Sequence, residues 1–383
     1  MALKSKLPVG ILGATGMVGQ RFIQLLEHHP WFEVAWLAAS DRSSGKTYGE
    51  AAKWRLDTML PKRIANMTVS PAEPNRATPG SVPRVIFAAL DAAIAREMEP
   101  AFANAGCAVI SNSSAYRMAP NVPLVIPEIN AEHLHLIEEQ PSRADSGGYM
   151  VTNPNCSTIG LVMALKPIEE RFGIEQIIVT TMQAVSGAGY PGVASMDILG
   201  NVVPYIGSEE EKMESETLKL LGKLNGHVVE PLPARISAHC NRVAVEDGHT
   251  ESVSIKLGNK LGRAVTHEDL LAAWAEFRPL AGQGLPTAPD QPLEWATQND
   301  RPQPRLDRNR GNGMAVTVGR LRPCPVLDWK FTALSHNTIR GAAGAAILNA
   351  ELLATLGKLE PGVPGDRSSS QGWEPVAVAA ARA

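Results

Sequence analysis

Ten residues near the N-terminus, Gly10-Ile-Leu-Gly13-Ala-Thr-Gly16-Met-Val-Gly19, constrain this chain more than any other stretch. They close a short apolar run at 7–12 and open a segment, 17–27, in which Val18, Phe22, Leu25 and Leu26 recur at helical spacing. The pattern reads as strand, glycine turn, helix. Glycines at 13 and 16 let a backbone approach a pyrophosphate, while the helix start offers unpaired N–H groups and a partial positive charge. Gly13, Thr15, Gly16, Met17 and Val18 are therefore candidate contacts to a dinucleotide. The alternative is that the glycines serve tight packing only.

A second strand, at 34–39, runs into Ser40-Asp41-Arg42-Ser43-Ser44-Gly45-Lys46. Hydroxyls, a guanidinium and an ammonium suit a ribose 2′-phosphate, whereas an acid at this strand end favours a free 2′-hydroxyl. Ser40, Arg42 and Ser43 thus point to NADP over NAD, with Asp41 dissenting and an ordinary surface loop as the alternative. Further strands at 82–90 and 107–111 bracket a helix at 91–105, after the proline-rich stretch 71–83. Strands alternating with helices imply a doubly wound parallel sheet over about the first 150 residues.

Past Asn153 the pattern changes. A helix at about 157–171 contains Pro167, expected to end or kink it. Strands at 174–185, 242–246 and 249–257 alternate as half-buried antiparallel strands do, which implies a second, α+β domain. Residues 282–312 lack periodicity and read as a long excursion. A strand at 314–321, an apolar segment at 325–334 and a helix at 338–356 follow, and the tail from Pro361 is expected to be disordered. No internal repeat is present.

Composition bounds the function. A chain of 383 residues with 44% hydrophobic and 20% charged residues is long enough for two domains with real cores. A net charge of −3 gives no global basic field to draw in nucleic acid or an anionic membrane. No apolar run approaches a membrane span, and Met1–Lys6 lacks a signal-peptide core, so a cytosolic (cytoplasmic) location is expected. Cys107, Cys156, Cys240 and Cys324 are too widely spaced for a zinc ribbon or a disulfide framework, and no metal is expected.

Four constellations carry chemistry. In Asn153-Pro154-Asn155-Cys156-Ser157-Thr158 the cysteine stands at a helix start, where free N–H groups should pull its pKa below about 8.5, making Cys156 the candidate nucleophile. Cys107 and Cys240 read as small buried residues. Between Arg242 and His249 lies Asp247-Gly248; if this is a two-residue hairpin turn, both side chains share a face ~13 Å apart and can flank one small ligand. A different turn would separate them. Ser208-Glu209-Glu210-Glu211-Lys212 begins another helix, with Ser208 and Glu211 as a capping box. Glu209 and Lys212 lie on the side of Met213, Thr217, Leu220 and Leu224, and either face inward or form a solvated acidic face.

Taken together with Ser111-Asn112-Ser113-Ser114-Ala115-Tyr116-Arg117, Gln183-Ala184-Val185-Ser186-Gly187-Ala188-Gly189 and His336-Asn337-Thr338-Ile339-Arg340-Gly341-Ala342-Ala343-Gly344, these motifs resemble aspartate-semialdehyde dehydrogenases, in their archaeal and fungal branch. The resemblance covers about residues 7–356 in consistent order. It implies a Rossmann-type NADP-binding domain at 1–153, an α+β catalytic and dimerisation domain at 154–336, a helix at 337–360 packing back on the first domain, and a disordered tail at 361–383.

The implied reaction is reductive dephosphorylation of L-aspartyl 4-phosphate by NADPH, a step of lysine, threonine, methionine and diaminopimelate biosynthesis. Cys156 would form a thioester, His249 would act as acid/base by titrating near neutral pH, and Gln183 would orient the acyl group. Arg242 would pair with the α-carboxylate and Glu209 with the α-ammonium, Glu210 remaining a rival; Arg117 and Lys212 would hold the phosphate. Asn337, with Ser186 and Gly187, would contact the nicotinamide end of the cofactor. A homodimer or homotetramer is implied. The competing readings are a malonyl-CoA-type acyl-thioester reductase, the more distant N-acetyl-glutamyl-phosphate reductase, and a non-catalytic NADP-responsive regulator or scaffold.

Overall fold

The computed structural model describes residues 5–75 and 82–360, so the tail at 361–383 lies outside the described residues. In the first lobe, β1 (Leu7–Leu12), β2 (Phe32–Ala38), β3 (Val85–Ala88), β4 (Ala108–Ser111) and β5 (Tyr149–Thr152) form a parallel sheet in the order β2-β1-β3-β4-β5. Strands β3, β4 and β5 are buried along their whole length, as expected when both faces are covered. The order reverses between β1 and β3, which opens a crevice at their carboxyl ends. Helices α1 (Met17–Leu26) and α2 (Ala92–Asn104) cover the sheet, α1 through Phe22, Ile23 and Leu26.

Helix α3 (Cys156–Phe172) leaves the end of β5 and enters the second lobe. Its strands are β6 (Ile174–Gln183), the small hairpin β7 (Lys223–Asn225) and β8 (Val228–Glu230), β9 (Arg235–Arg242), β10 (His249–Leu257), β11 (Leu293–Ala296), β12 (Val316–Pro323) and β13 (Trp329–Ser335). Six of them make a mixed sheet in the order β11-β12-β13-β10-β6-β9. Helix α4 (Glu209–Leu220) lies beside α3 and β9, and α5 (His267–Glu276) buries Trp274 edge-on against Phe331 at 5.2 Å. Helix α6 (Gly344–Thr355) returns to the first lobe, where Ala346, Ile347, Ala350 and Leu353 join the core of Val9, Ile11 and Phe22.

Four expectations need correction. Helix α3 does not end at Pro167 but continues to Phe172 with the proline buried, because its packing outweighs a cost of about 3 kcal/mol for an interior proline. Residues 243–248 are not a strand, and β9 and β10 are not a hairpin: β6 lies between them, parallel to β9 and antiparallel to β10. Val185 and Ser186 donate their backbone N–H groups to Val245 O and Glu246 O and hold that segment away from the sheet. Ser208 does not cap α4; it adopts a left-handed φ of 57° and its side chain makes no capping bond. The excursion at 282–312 contains β11, which extends the edge of the sheet beside β12.

Candidate active site

Cys156 is the first residue of α3, and the side chain of Asn155 caps that helix by accepting from Ser157 N at 2.9 Å and Thr158 N at 3.2 Å. Three strand ends converge on it. Gln183 ends β6, Arg242 ends β9 directly opposite, and His249 opens β10 next to the Gln183 end of β6. Arg242 and His249 therefore do meet, but across an intervening strand and not around a hairpin. His249 Nε2 stands 3.2 Å from Cys156 Sγ, and Arg242 Nη1 donates to Ala184 O at 2.7 Å. Gly341 closes the far side: a Cβ there would sit 2.8 Å from Cys156 Cβ.

The protonation state of the pair follows from one contact. Ala184 donates its backbone N–H to His249 Nδ1 at 3.0 Å, so the hydrogen of the neutral imidazole is on Nε2 and points at the sulfur. Burial pushes His249 down to about 3, with Arg242 and His336 adding to the effect. The expected titration near neutrality is thereby corrected: His249 is a neutral N–H donor. Burial likewise pushes the Cys156 thiol up to about 12, Glu209 adding to it, against the opposing pull of Arg117, Arg242 and the Ser157 N–H. The helix-start argument alone has the opposite sign, because desolvation outweighs the dipole here. Cys240 is also pushed up to about 12 by burial, whereas partly exposed Cys324 is lowered by N–H groups at Leu327 and Val326.

Helix α4 meets the same helix start. Glu209 is buried, and its Oε1 accepts from Asn155 Nδ2 at 2.8 Å while Oε2 lies 3.7 Å from Lys212 Nζ. Its rival Glu210 turns to the sheet edge and accepts from Cys240 N at 2.9 Å. The helix is therefore not a solvated acidic face on this side. Arg117 arrives from the loop after β4 and is buried, with Nη2 donating to Asn112 O at 2.7 Å and Nη1 to Glu216 Oε1 at 3.0 Å. Glu216 escaped the sequence reading, although its seven-residue offset from Glu209 puts both on one helix face.

The residues of the glycine turn fit a dinucleotide. Gly13 has φ +85° and a Cβ would lie 2.3 Å from Ala89 O, so the fold itself demands glycine there. At exposed Gly16 a Cβ would meet only Gly13 O, at an ordinary 3.5 Å, so the fold itself does not require glycine at this position. Gly16 precedes α1 without any side-chain cap, leaving that helix start to an anion; Thr15, Met17 and Val18 line it, half-buried. Ser40 and Arg42 are exposed after β2, whereas Ser43 is tucked under the turn, its N–H donating to Ser40 O at 2.8 Å. Asn337 Nδ2 donates to Ser186 Oγ at 2.8 Å, next to Gly187 and the Arg242–His249 pair.

Residues 8–137 match the family model described as semialdehyde dehydrogenase, NAD binding domain, and residues 165–340 match semialdehyde dehydrogenase, dimerisation domain. An aspartate-semialdehyde dehydrogenase of Archaeoglobus fulgidus is 51% identical over 345 residues, which cover 90% of this chain and 97% of the relative. The chain belongs to the aspartate-semialdehyde dehydrogenase family. A second archaeal relative of that name, from Methanothermobacter thermautotrophicus, is 53% identical over 90% of this chain and 98% of its own length. The crystal structure of aspartate semialdehyde dehydrogenase with NADP from Candida albicans superposes with a TM-score of 0.83 at 44% identity, covering 91% of this chain and 98% of that one. The enzyme is thus an oxidoreductase of the archaeal and fungal branch, with an NAD(P)-binding first lobe. The acyl-thioester reductase and non-catalytic readings find no support among these relatives.

Proposed function

We propose that the enzyme reduces L-aspartyl 4-phosphate to L-aspartate 4-semialdehyde with release of phosphate, and that the residues gathered around Cys156 divide the work. The observation that carries this reading is the N–H···S contact from His249 to Cys156 at a capped helix start, flanked by Arg242 and by Glu209. The Cys156 sulfur attacks the acyl carbon and gives up its thiol proton, the carbon–oxygen bond to phosphate breaks, and phosphate leaves carrying that proton; the thiolate expelled later with the aldehyde is reprotonated from water. Gln183 orients the acyl group. NADPH, when bound, supplies a hydride to the thioester carbonyl. His249 Nε2–H stabilises in turn the attacking thiolate, the oxyanion formed on reduction, and the thiolate expelled as aldehyde forms.

Opposite charges recognise opposite ends of the substrate: Arg242 the α-carboxylate, Glu209 the α-ammonium, Arg117 and Lys212 the phosphate. Glu209 is favoured over Glu210 because it faces Asn155 beside Cys156, whereas Glu210 faces the sheet edge at Cys240. Gly13, Thr15, Gly16, Met17 and Val18 would hold the pyrophosphate, and Asn337, Ser186 and Gly187 the nicotinamide end. NADP is preferred over NAD on Ser40 and Arg42, both exposed after β2 despite Asp41 in the same turn, and on the NADP in the Candida albicans relative. Ser43, buried with its N–H given to Ser40 O, contributes by shaping that turn.

A homodimer or homotetramer is supported by the dimerisation-domain match. A cytoplasmic location fits four free cysteines, and no helix among the described residues is long and apolar enough to cross a membrane. Lysine, threonine, methionine and diaminopimelate synthesis are the routes served. The test is NADP⁺ reduction by aspartate semialdehyde with and without phosphate, beside NADPH oxidation by malonyl-CoA. Phosphate-dependent turnover in the first assay is expected; activity confined to the second would refute the assignment.

A further inference from the structure

Helix α4 carries a carboxylate beyond those given roles above. Glu216 lies two turns after Glu209, so the two face the start of α3 together. It is 1% exposed, and its two oxygens have different partners. Oε1 accepts from Arg117 Nη1 at 3.0 Å, and Oε2 accepts from Asn155 N at 2.6 Å. Arg117 belongs to the loop after β4 in the first lobe, whereas Asn155 is the cap immediately before Cys156. A single buried group thus spans from a cleft guanidinium to the residue preceding the nucleophile.

The surrounding bonds stiffen this link. Asn155 is held on its backbone by Glu216 and on its side-chain amide by Glu209, while its own oxygen caps Ser157 and Thr158. Arg117 is held on its second nitrogen by Asn112 O, and Asn112 Oδ1 accepts from Asn153 Nδ2 at 2.9 Å. Two of the three guanidinium nitrogens are thus fixed before an anion arrives. An acyl phosphate must present its carbon to sulfur while its leaving group rests on a cation, and a misplacement of about 1 Å can cost about a hundredfold in rate.

We propose that Glu216 is a positioning residue that fixes Arg117 relative to Cys156, so that phosphate and nucleophile are held in register across the acyl carbon. The inference rests on Arg117 as a phosphate ligand. Glu216→Gln keeps the shape and an amide oxygen for Asn155 N–H but turns an N–H2 group toward the guanidinium. Glu216→Ala removes both contacts.

Reverse-direction kinetics on the full chain, with phosphate and semialdehyde varied separately, read the two halves apart. Alkylation of Cys156, followed by peptide mapping, reports on the nucleophile alone. Glu216→Gln is expected to raise the phosphate KM about tenfold or more, with semialdehyde KM and Cys156 alkylation changed less than about twofold. Glu216→Ala is expected to slow alkylation as well. Arg117→Lys is the reference. A raised phosphate KM in Arg117→Lys but not in Glu216→Gln overturns the positioning role alone; no change in either overturns the reading of Arg117, and the proposal with it. An equal effect of Glu216→Gln on both KM values, with a lower Tm, makes the residue merely structural and also overturns it. Should Glu216→Gln not fold, Glu216→Asp, which keeps the charge but reaches only one partner, is read against the same outcomes.

Discussion

One backbone N–H decides what His249 can do. Because Ala184 donates to Nδ1, a second proton on the ring would bring two donors face to face, and burial already pushes the imidazole down to about 3. Cys156 and His249 are therefore not a thiolate–imidazolium pair poised at neutral pH. The rate of Cys156 alkylation by a neutral reagent should rise steadily from pH 6 to 9 as the raised thiol ionises; a plateau with a midpoint near 6 would mean an ion pair instead. Peptide mapping is required, since partly exposed Cys324 has the lowered pKa and will react too. Cys156→Ser should abolish reduction and leave NADPH binding nearly intact, measured by fluorescence titration; loss of both would make the residue structural. The cysteine was legible because a helix start is a local signal. The direction of its pKa shift was not, since burial arises from strands far away in the sequence.

At the scale of elements, the same distinction between local and distant partners holds. The glycine turn, α1, α2 and the parallel strands were readable from periodicity and turn residues within short windows. The Arg242–His249 geometry was not, because β6, some sixty residues upstream, inserts between β9 and β10. Pro167 does not end its helix for the same reason, since the residues around it are held by tertiary packing. The turn between β1 and α1 allows a sharp comparison. Gly16→Ala should fold normally, with a Tm within about 2 °C of the parent, and lose at least about tenfold in NADP affinity. Gly13→Ala should lower the Tm itself, because it forces a side chain against Ala89 O in a left-handed conformation. Equal thermal stability of the two variants would contradict this account of the turn.

The whole molecule is two lobes joined at the nucleophile. Everything with a proposed role sits at the carboxyl ends of the first sheet, at the strand ends of the second or on α4, and α6 is tied to the end of β5, where Asn349 Nδ2 donates to Asn153 Oδ1 at 2.6 Å. Burying polar groups is costly, and one buried acid of the second lobe should show in the pH dependence of stability. Glu251, two residues beyond His249, is buried, neither oxygen has a hydrogen-bond partner among the described residues, and burial raises its pKa well above the usual carboxylate value. A raised carboxyl contributes its full stability below about pH 4.5 and loses it as pH rises, because the unfolded chain releases a proton the folded one keeps. Glu251→Gln should therefore raise the Tm at pH 8 and the gain should shrink toward pH 5; a constant difference would contradict the buried neutral acid. The central claim is that Cys156 carries the acyl group between phosphate release and reduction. It is tested most directly by mixing the enzyme with aspartate semialdehyde and NADP⁺ in the absence of phosphate, then mapping adducts by mass spectrometry. The expected result is a burst of about one NADPH per active site, with the acyl mass on the peptide containing Cys156. No burst, or an acyl group on any other residue, would contradict the account.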